Sequence, residues 1–347
     1  MSAPLLQAVG HTGAGDGGVL ELRQVPRPDP GPGQVRVRVQ ASALNRADIL
    51  QRKGRYPAPP GWPADIPGLE YAGEVDVLGP GVTRWKIGDR VMGLVGGGAH
   101  AEYVVVHADE AMAVPAGMPF TEAAAIPEAF LTAWDALVVR GRLQPGERVL
   151  IHAVGSGVGT AAVQLAKRLG ATVAGSSRSA AKLERARELG MDEGIDSSGD
   201  WAIGRLGDSG AGAGSGSEAG TGDHKGRPYG LIIDCLGAPA FAANLEALAP
   251  RGRLVLLGFL QGASGELSLE PILRKRLEVI GSVMRTRALE ERIPLVAAFS
   301  REVLPGFGDS APPLRPVVAA TYPFAKIAAA HQAMERDENF GKIVLSW

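Results

Sequence analysis

The fold is decided by residues 148–175, whose sequence is RVLIHAVGSGVGTAAVQLAKRLGATVAG. The apolar run Arg148–Val154 predicts a buried strand, and Gly155–Gly159 predicts a tight turn. Residues 160–169 carry apolar side chains at helical spacing on one face, and Thr172–Gly175 forms the next predicted strand. A strand, a glycine turn, a helix and a strand joined by short connections predict a parallel sheet covered by helices.

The glycine turn also predicts a phosphate-binding site. A helix start presents unpaired backbone N–H groups and the positive end of the helix dipole. The match to G-x-G-x-x-G is incomplete, because with Gly159 in the third position Val154 and Ser156 take the first two. The turn favours a dinucleotide, and a glycine turn made only for packing is the alternative.

The end of the second predicted strand indicates which dinucleotide is bound. Folds that select NAD usually place an acidic residue there for the ribose 2′-hydroxyl. Here residues 175–178 are GSSR and Lys182 follows, with no acid among them. Hydroxyls and two cations suit a 2′-phosphate, which predicts NADP(H). The alternative is that Arg178 and Lys182 are only solvated charges at a helix start.

The flanking regions differ in character. Before the central stretch, Val35–Ala43 alternates apolar and polar residues, and other short apolar runs lie between glycine-rich turns, so this part is predicted to be β-rich. After it, Leu231–Cys235, Leu254–Gly258 and Val279–Ser282 are apolar runs typical of strands buried on both faces. Residues 207–222 are nearly all glycine, alanine and serine, which predicts a flexible surface insertion.

The composition excludes several classes of protein. Lys and Arg number 36 against 37 Asp and Glu, so the net charge of −1 gives no field that would attract nucleic acid or an anionic membrane. The single cysteine, Cys235, excludes an internal disulfide and any site built from several cysteines. No apolar run reaches about 18 residues. Met1–Gly10 lacks the pattern of a secretory signal, so a cytoplasmic protein is expected.

Several stretches together resemble a known family. The chain is similar to the zinc-independent quinone oxidoreductases of the zeta-crystallin type, within the medium-chain dehydrogenase/reductase superfamily, and most of all to the tumour-suppressor-inducible subgroup. The stretches that carry the resemblance are Ser42–Gly54, Gly68–Glu70, Ala123–Thr132, Val149–Gln164, Leu231–Gly237 and Asn339–Leu345.

The resemblance implies an α/β fold of two domains. Residues 125–282 would form a Rossmann domain with a doubly wound parallel sheet that binds NADP(H). Residues 1–124 and 283–347 would form a GroES-like catalytic domain built on a partly open β-barrel. In the alcohol dehydrogenase branch the catalytic zinc ligands would fall at Asn45, Leu69 and Glu128. Leucine cannot bind a metal, so no metal site is expected.

The resemblance also implies which residues hold the cofactor. Asn45 and Thr132 would lie near the nicotinamide and its ribose, four loop residues would hold the pyrophosphate, and Ser177 with the two following cations would face the 2′-phosphate. Further residues after a sheet strand and in the C-terminal tail would complete the pocket. The full cofactor-binding set is Asn45, Thr132, Ser156, Gly157, Val158, Gly159, Ser177, Arg178, Lys182, Gly258, Phe259, Leu260, Phe340, Gly341 and Lys342.

Tyr56 and Asn45 are the candidate catalytic residues. Tyr56 could donate a proton to a substrate oxygen, or it could be a pocket wall with protons supplied by water. Asp48 and Glu70 are interpreted as structural hydrogen-bond or ion-pair partners. His152, inside the strand before the phosphate loop, is interpreted as a buried, hydrogen-bonded residue.

The predicted function is metal-independent reduction of quinones by NADPH, through hydride or one-electron transfer. The first alternative is an NADPH-dependent reductase of enoyl or alkenal double bonds. The second is a non-enzymatic NADPH-binding sensor or structural protein. The expected partners are a quinone or conjugated carbonyl and a second copy of the chain, paired through a sheet edge at Val279–Met284.

Overall fold

The fold is that of a computed structural model, described for residues 5–12, 19–198, 228–308 and 311–347. It divides into two compact units. Unit 1 comprises Met1–Thr132, Ser156–Ala161 and Val283–Trp347, and unit 2 comprises Ala133–Gly155 and Ala162–Ser282. The predicted insertion at residues 207–222 lies outside the described residues. The domain boundaries expected from the resemblance stay a prediction.

Unit 1 contains an antiparallel pair of strands and a seven-stranded sheet. Numbered in chain order, these strands are β1 (Leu5–Thr12), β2 (Val19–Pro26), β3 (Gln34–Ala43), β4 (Glu70–Leu78), β5 (Arg90–Leu94), β6 (Tyr103–His107), β7 (Met112–Ala113), β14 (Val318–Pro323) and β15 (Lys342–Ser346). The order in the sheet is β14-β15-β3-β4-β5-β7, with β6 also paired to β3, and β1 pairs with β2. The C-terminal strand β15 therefore lies beside the N-terminal strand β3.

The alternation that predicted a half-buried strand is seen in β3. Val35, Val37 and Val39 are buried in the core of the sheet. Arg36 departs from the pattern, since it lies on the opposite face but is only 4% exposed. Its guanidinium donates to the carboxylates of Asp29 and Asp76, each at 2.7 Å, so the buried charge is paired.

Helices cover the strands of both units. They are α1 (Arg46–Arg52), α2 (Phe120–Ala123), α3 (Pro127–Trp134), α4 (Gly157–Arg168), α5 (Ala180–Arg187), α6 (Ala238–Ala247), α7 (Glu270–Lys275), α8 (Leu289–Glu302) and α9 (Ile327–Glu335). A π-helical segment, Asp135–Arg140, continues α3. None of the described helices is long and apolar enough to cross a membrane.

Unit 2 is built on a six-stranded parallel sheet. Its strands are β8 (Arg148–Ile151), β9 (Thr172–Ser177), β10 (Glu193–Asp196), β11 (Tyr229–Asp234), β12 (Leu248–Leu256) and β13 (Glu278–Gly281). Their order is β10-β9-β8-β11-β12-β13, and every neighbouring pair is parallel. Counted from the first strand of the unit, this is the order 3-2-1-4-5-6 of a doubly wound dinucleotide fold. The fold class predicted from the sequence is confirmed.

The core of unit 2 explains why its strands are continuous apolar runs. Leu150, Ala174, Ile232 and Leu254 come from four neighbouring strands and are all buried in one cluster with Phe241 of α6. A sheet covered by helices hides both faces of each strand, so alternation is lost. One boundary differs from the prediction, because α4 begins within the glycine turn rather than after it.

Candidate functional site

A buried ammonium lies at the centre of the site in unit 1. Lys342 begins β15, and its side chain is 6% exposed. Its Nζ donates to the Leu44 carbonyl at 2.7 Å and to Asn45 Oδ1 at 2.6 Å, and it pairs with Glu70 Oε1 at 2.6 Å. An ammonium has three N–H donors, and these three acceptors use all of them.

The Glu70 carboxylate is the counter-ion of this ammonium. Glu70 opens β4, and its side chain is fully buried. Besides Lys342 it accepts from Asn45 Nδ2 at 2.9 Å and from the backbone N–H of Glu128 at 2.8 Å. Burial raises the pKa of Glu70, and the lysine opposes that rise. Glu70 is thus a structural ion-pair partner, as the sequence predicted.

Asn45 connects the ion pair to helix α1. It is the N-cap of α1, and its backbone N–H donates to Asp48 Oδ2 at 2.7 Å. The other oxygen of Asp48 accepts from the backbone N–H of Gly68 at 2.9 Å, so Asp48 is also a structural partner. The Asn45 side chain faces Lys342 and Glu70, and its Nδ2 also contacts the Ala43 carbonyl at 3.3 Å.

Within unit 1, the predicted phosphate loop lies against Gly341 and Lys342 of the C-terminal tail. Ser156 forms an isolated parallel bridge with Gly341, and its Oγ accepts from the backbone N–H of Gly159 at 3.0 Å. A Cβ atom on Gly157 would lie 2.4 Å from Lys342 Cδ, so only glycine fits there without displacement. The structure therefore brings the loop and the C-terminal tail together, and Val158 lies half-buried between these glycines.

Thr132 provides an independent sign that a ligand belongs in unit 1. It lies in α3 and is 9% exposed, yet its Oγ1 has no hydrogen-bond partner among the described residues. A buried hydroxyl without a partner costs free energy unless a ligand or water supplies one. An orphaned hydroxyl and a glycine-lined loop at the start of α4 fit a dinucleotide. Phe340, the other tail residue predicted to bind the cofactor, is buried and directly precedes Gly341 and Lys342.

The residues predicted to face a 2′-phosphate lie together in unit 2. Ser177 ends β9, and its Oγ accepts from the backbone N–H of Ser179, the N-cap of α5. Arg178 lies between these serines and is exposed. The aliphatic part of Lys182 packs on Gly155, where a Cβ atom would lie 2.8 Å from Lys182 Cδ. The two predicted cations thus flank the carboxyl end of β9.

The remaining predicted residues follow β12, also in unit 2. Phe259 and Leu260 are 55% and 50% exposed, although both are large and apolar. The backbone N–H of Leu260 donates to the Cys235 carbonyl at 2.9 Å, which holds the loop containing Gly258 against the end of β11. The predicted cofactor residues therefore form one group in unit 1 and a second group at strand ends in unit 2.

Tyr56 lies under a buried arginine of unit 1. The Arg285 guanidinium is 4.8 Å from the Tyr56 ring centroid and donates to the Tyr56 carbonyl at 3.0 Å. It also donates to the Gly96 carbonyl at 2.7 Å and to Gln51 Oε1 at 2.6 Å. Burial raises the pKa of the Tyr56 phenol, so this half-buried side chain keeps its proton.

Sequence reasoning missed Arg285 and the cavity that it lines. The cavity in unit 1 is bordered by apolar side chains, among them Leu69 and Leu131, and by Glu128. Arg285 is separated by 189 and 234 positions from its partners Gly96 and Gln51, so no local motif marks it. Glu128 carried a sequence signal, because it is a carboxyl group inside a largely apolar stretch.

His152 is structural, as predicted. It is buried in unit 2, where its Nε2 is 2.7 Å from Asn244 Oδ1 and its Nδ1 is 2.7 Å from Ser176 Oγ. Because an amide oxygen only accepts, Nε2 donates and Nδ1 accepts from the serine. Burial lowers the pKa of His152 to about 4, so the ring is neutral near neutral pH.

Replacing Lys342 by methionine tests the ion pair. Lys342→Met leaves the Glu70 carboxylate buried without a cation, so we expect the free energy of unfolding in urea to fall by about 3–5 kcal/mol. The loss should shrink at mildly acidic pH. Protonated Glu70 needs no counter-ion, so the penalty grows only as the pH rises through its raised folded-state pKa.

The control is Lys326→Met, because Lys326 is exposed. It should change the free energy of unfolding by less than about 0.5 kcal/mol at either pH. Equal losses in the two variants, or a loss in Lys342→Met that does not depend on pH, would contradict the central position given to the ion pair.

Comparison with known proteins places both parts of the chain in one family. Residues 31–116 match the alcohol dehydrogenase GroES-like domain, and residues 157–300 match the zinc-binding dehydrogenase model. The human synaptic vesicle membrane protein VAT-1 homolog is 31% identical over 322 residues, which cover 88% of this chain and 77% of that protein. The crystal structure of CurK enoyl reductase is 27% identical with a TM-score of 0.80, over 99% of both chains.

A polyketide synthase is also similar, over a shorter stretch. GfsB of Streptomyces halstedii is 38% identical over 216 residues, or 62% of this chain. The chain spans only 3% of the length of that synthase. The similarity is therefore to a small part of a much longer protein.

The residues present do not fit the zinc that the name of one family model implies. Of the three positions at which the resemblance puts zinc ligands, Leu69 has no donor atom and lines the apolar cavity. Asn45 is in contact with the Lys342 ammonium, whose charge opposes a second cation. Within the described ranges no group of three or more His, Cys, Asp or Glu side chains is arranged to hold a metal ion.

The two domain matches, the relative above 30% identity and the doubly wound sheet agree with one another. The chain belongs to the medium-chain dehydrogenase/reductase superfamily, and it is an oxidoreductase of the kind that acts on small molecules with a nicotinamide cofactor.

Proposed function

We propose that this protein reduces quinones with NADPH and without a catalytic metal. The observation that carries the proposal is that two of the three positions expected for zinc ligands cannot serve as ligands. Leu69 has no donor atom, and the Asn45 side chain is held by Lys342 and Glu70. In a zinc dehydrogenase the metal is the Lewis acid that activates an ordinary carbonyl for hydride transfer. A quinone or an activated enone is electrophilic enough to accept it unaided, so these acceptors suit residues that cannot hold zinc.

The cofactor would be held by this chain's own backbone and hydroxyls. When bound, NADPH supplies hydride to the acceptor. The backbone N–H groups at the start of α4 would hold the pyrophosphate, with Gly157 and Gly341 allowing its close approach. The orphaned Thr132 hydroxyl would gain its missing hydrogen bond from the ribose or nicotinamide.

Reduction of an enoyl or alkenal double bond is the second candidate. It is favoured by the similarity to CurK enoyl reductase over almost the whole chain and by the match to part of a polyketide synthase. Hydride transfer to a conjugated double bond makes the same demands on the fold and on the cofactor. The two candidates differ in the shape of the acceptor, which loops determine.

The acceptor test follows NADPH oxidation by absorbance after treatment with a chelator. We expect turnover with a small quinone to exceed turnover with an alkenal and with a 2-enoyl-CoA, because a quinone accepts hydride most readily. A preference for the alkenal or enoyl thioester would move the function to double-bond reduction. Binding of NADPH with no turnover of any acceptor would favour the second alternative, a non-enzymatic sensor or structural protein. Activity lost on chelation and restored by zinc would contradict the metal-free proposal.

The cofactor test removes Arg178. If its guanidinium pairs with the 2′-phosphate, Arg178→Ala should weaken NADPH binding about 10-fold, or about 1.4 kcal/mol, and leave NADH binding unchanged. Both constants can be measured by titrating cofactor fluorescence. The matched control is Arg168→Ala, since Arg168 is an exposed arginine at the end of α4. Equal weakening of NADPH and NADH would contradict a role at the 2′-phosphate.

We also propose that two copies pair through unit 2. Strand β13 is at the edge of the six-stranded sheet, where backbone groups of one copy can add to those of another. Val279 on this strand is 39% exposed. Light scattering should give twice the chain mass of 36.0 kDa at micromolar concentration, and Val279→Lys should reduce it to one chain mass. A single chain mass for the unaltered protein would contradict the pairing.

A further inference from the structure

Two carboxyl groups of unit 1 face a single ammonium, and the ammonium pairs with only one of them. Lys342 Nζ contacts Glu70 Oε1 at 2.6 Å, and its other two hydrogens go to Leu44 and Asn45. Glu128 contributes only its backbone N–H to this network, through a 2.8 Å bond to Glu70. The charges of Lys342 and Glu70 cancel, so no cation remains in the network for the Glu128 carboxyl.

The Glu128 carboxyl has no hydrogen-bond or ion-pair partner in the described part of the chain. The Arg285 guanidinium faces it, but no hydrogen bond or ion pair in the described part of the chain joins the two side chains. Three of the N–H groups of Arg285 donate instead to Gly96, Tyr56 and Gln51. A carboxylate left without hydrogen bonds or a counter-ion is costly, whereas the protonated acid is not.

The surroundings of Glu128 also favour the protonated acid. Its side chain lines the cavity beside Leu69, Val95 and Leu131. Burial and the neighbouring Glu70 raise the pKa of Glu128 to about 7. The charged and titratable groups that face Glu128 are Glu70, Lys342, Asp48, Arg285 and Tyr56, and Glu110 lines the same cavity paired with Arg292 at 2.8 Å.

We propose that Glu128 is the general acid that gives the reduced acceptor its proton. The inference deepens the proposed function and rests on it. A carboxyl group in an apolar cavity with no competing partner can hold a proton and release it to a substrate oxygen.

The step balances with one hydride and one proton. The acceptor takes the hydride with its two electrons and forms one new bond to hydrogen, which leaves negative charge on an acceptor oxygen. The O–H bond of Glu128 then breaks while a new O–H bond forms on that oxygen. Glu128 remains as a carboxylate, and solvent returns its proton before the next turnover. No further oxidant or reductant is needed.

The test uses the full chain and two independent readouts. Glu128→Gln keeps the size of the acid but cannot give up a proton. We expect it to slow single-turnover oxidation of NADPH by a quinone about a hundred- to ten-thousand-fold, with NADPH binding unchanged. In the unaltered protein this rate should fall as the pH rises through the pKa of Glu128, because the acid is then lost. Glu128→Gln should lose that dependence.

The second readout needs no turnover. Infrared difference spectra between acidic and alkaline pH should show a protonated carboxyl band that disappears on titration near pH 7, and Glu128→Gln should lack this band. Glu128→Asp retains an acid and should keep the pH dependence at a lower rate. Glu122→Gln is the matched control, because Glu122 is exposed on α2 nearby, and it should behave as the unaltered protein does.

The outcomes separate this inference from the proposed function. If the unaltered protein turns over no quinone and no enone, the proposed function fails, and the proton donor fails with it. If the unaltered protein turns over a quinone but Glu128→Gln retains its rate and pH dependence, only the inference about Glu128 is overturned. A Glu128 carboxyl that stays ionised throughout the infrared titration also overturns it.

Discussion

The site in unit 1 depends on one buried ion pair between Lys342 and Glu70. Each ion has given up its hydration, so the pair is tolerated only because further hydrogen bonds satisfy the remaining donors and acceptors. Those bonds come from Leu44, from Asn45 at the start of α1, and from Glu128 in the first turn of α3. The ion pair thereby connects β15, α1, α3 and β4 to one another. The phosphate loop packs against the aliphatic part of the Lys342 side chain.

This constraint gives the site a chemistry different from that of a zinc enzyme. A zinc ion can be coordinated directly by a substrate oxygen, whereas the Lys342 ammonium has no hydrogen left to donate. Its positive charge orients Asn45 and Glu70 instead of binding the acceptor. Polarisation of the acceptor must therefore come from other groups, and an acceptor that is already electrophilic requires the least of it.

The sequence predicted local features well and distant contacts poorly. Apolar runs and glycines report on neighbouring positions, so the parallel sheet of unit 2, a glycine turn before α4 and the buried His152 were all predictable. The end of that turn was not, because α4 already begins at Gly157. Lys342 was predicted as a cofactor residue only through the resemblance. Its bond to Asn45 spans 297 positions, and no local pattern encodes such a contact. The buried Arg36 departed from strand alternation for a similar reason, because its partner Asp76 lies on another strand.

Tyr56 and Glu128 illustrate how neighbouring acids divide their roles. Burial raises the pKa of both, and the carboxyl of Glu128 raises that of Tyr56 further. The phenol therefore keeps its proton throughout the neutral range, where the carboxyl, with a pKa of about 7, can exist in either state. A group that never loses its proton can orient an acceptor by donating a hydrogen bond, but only a group that titrates can deliver a proton and recover it from water. Of these two neighbours, only Glu128 can therefore both deliver a proton and recover one near neutral pH.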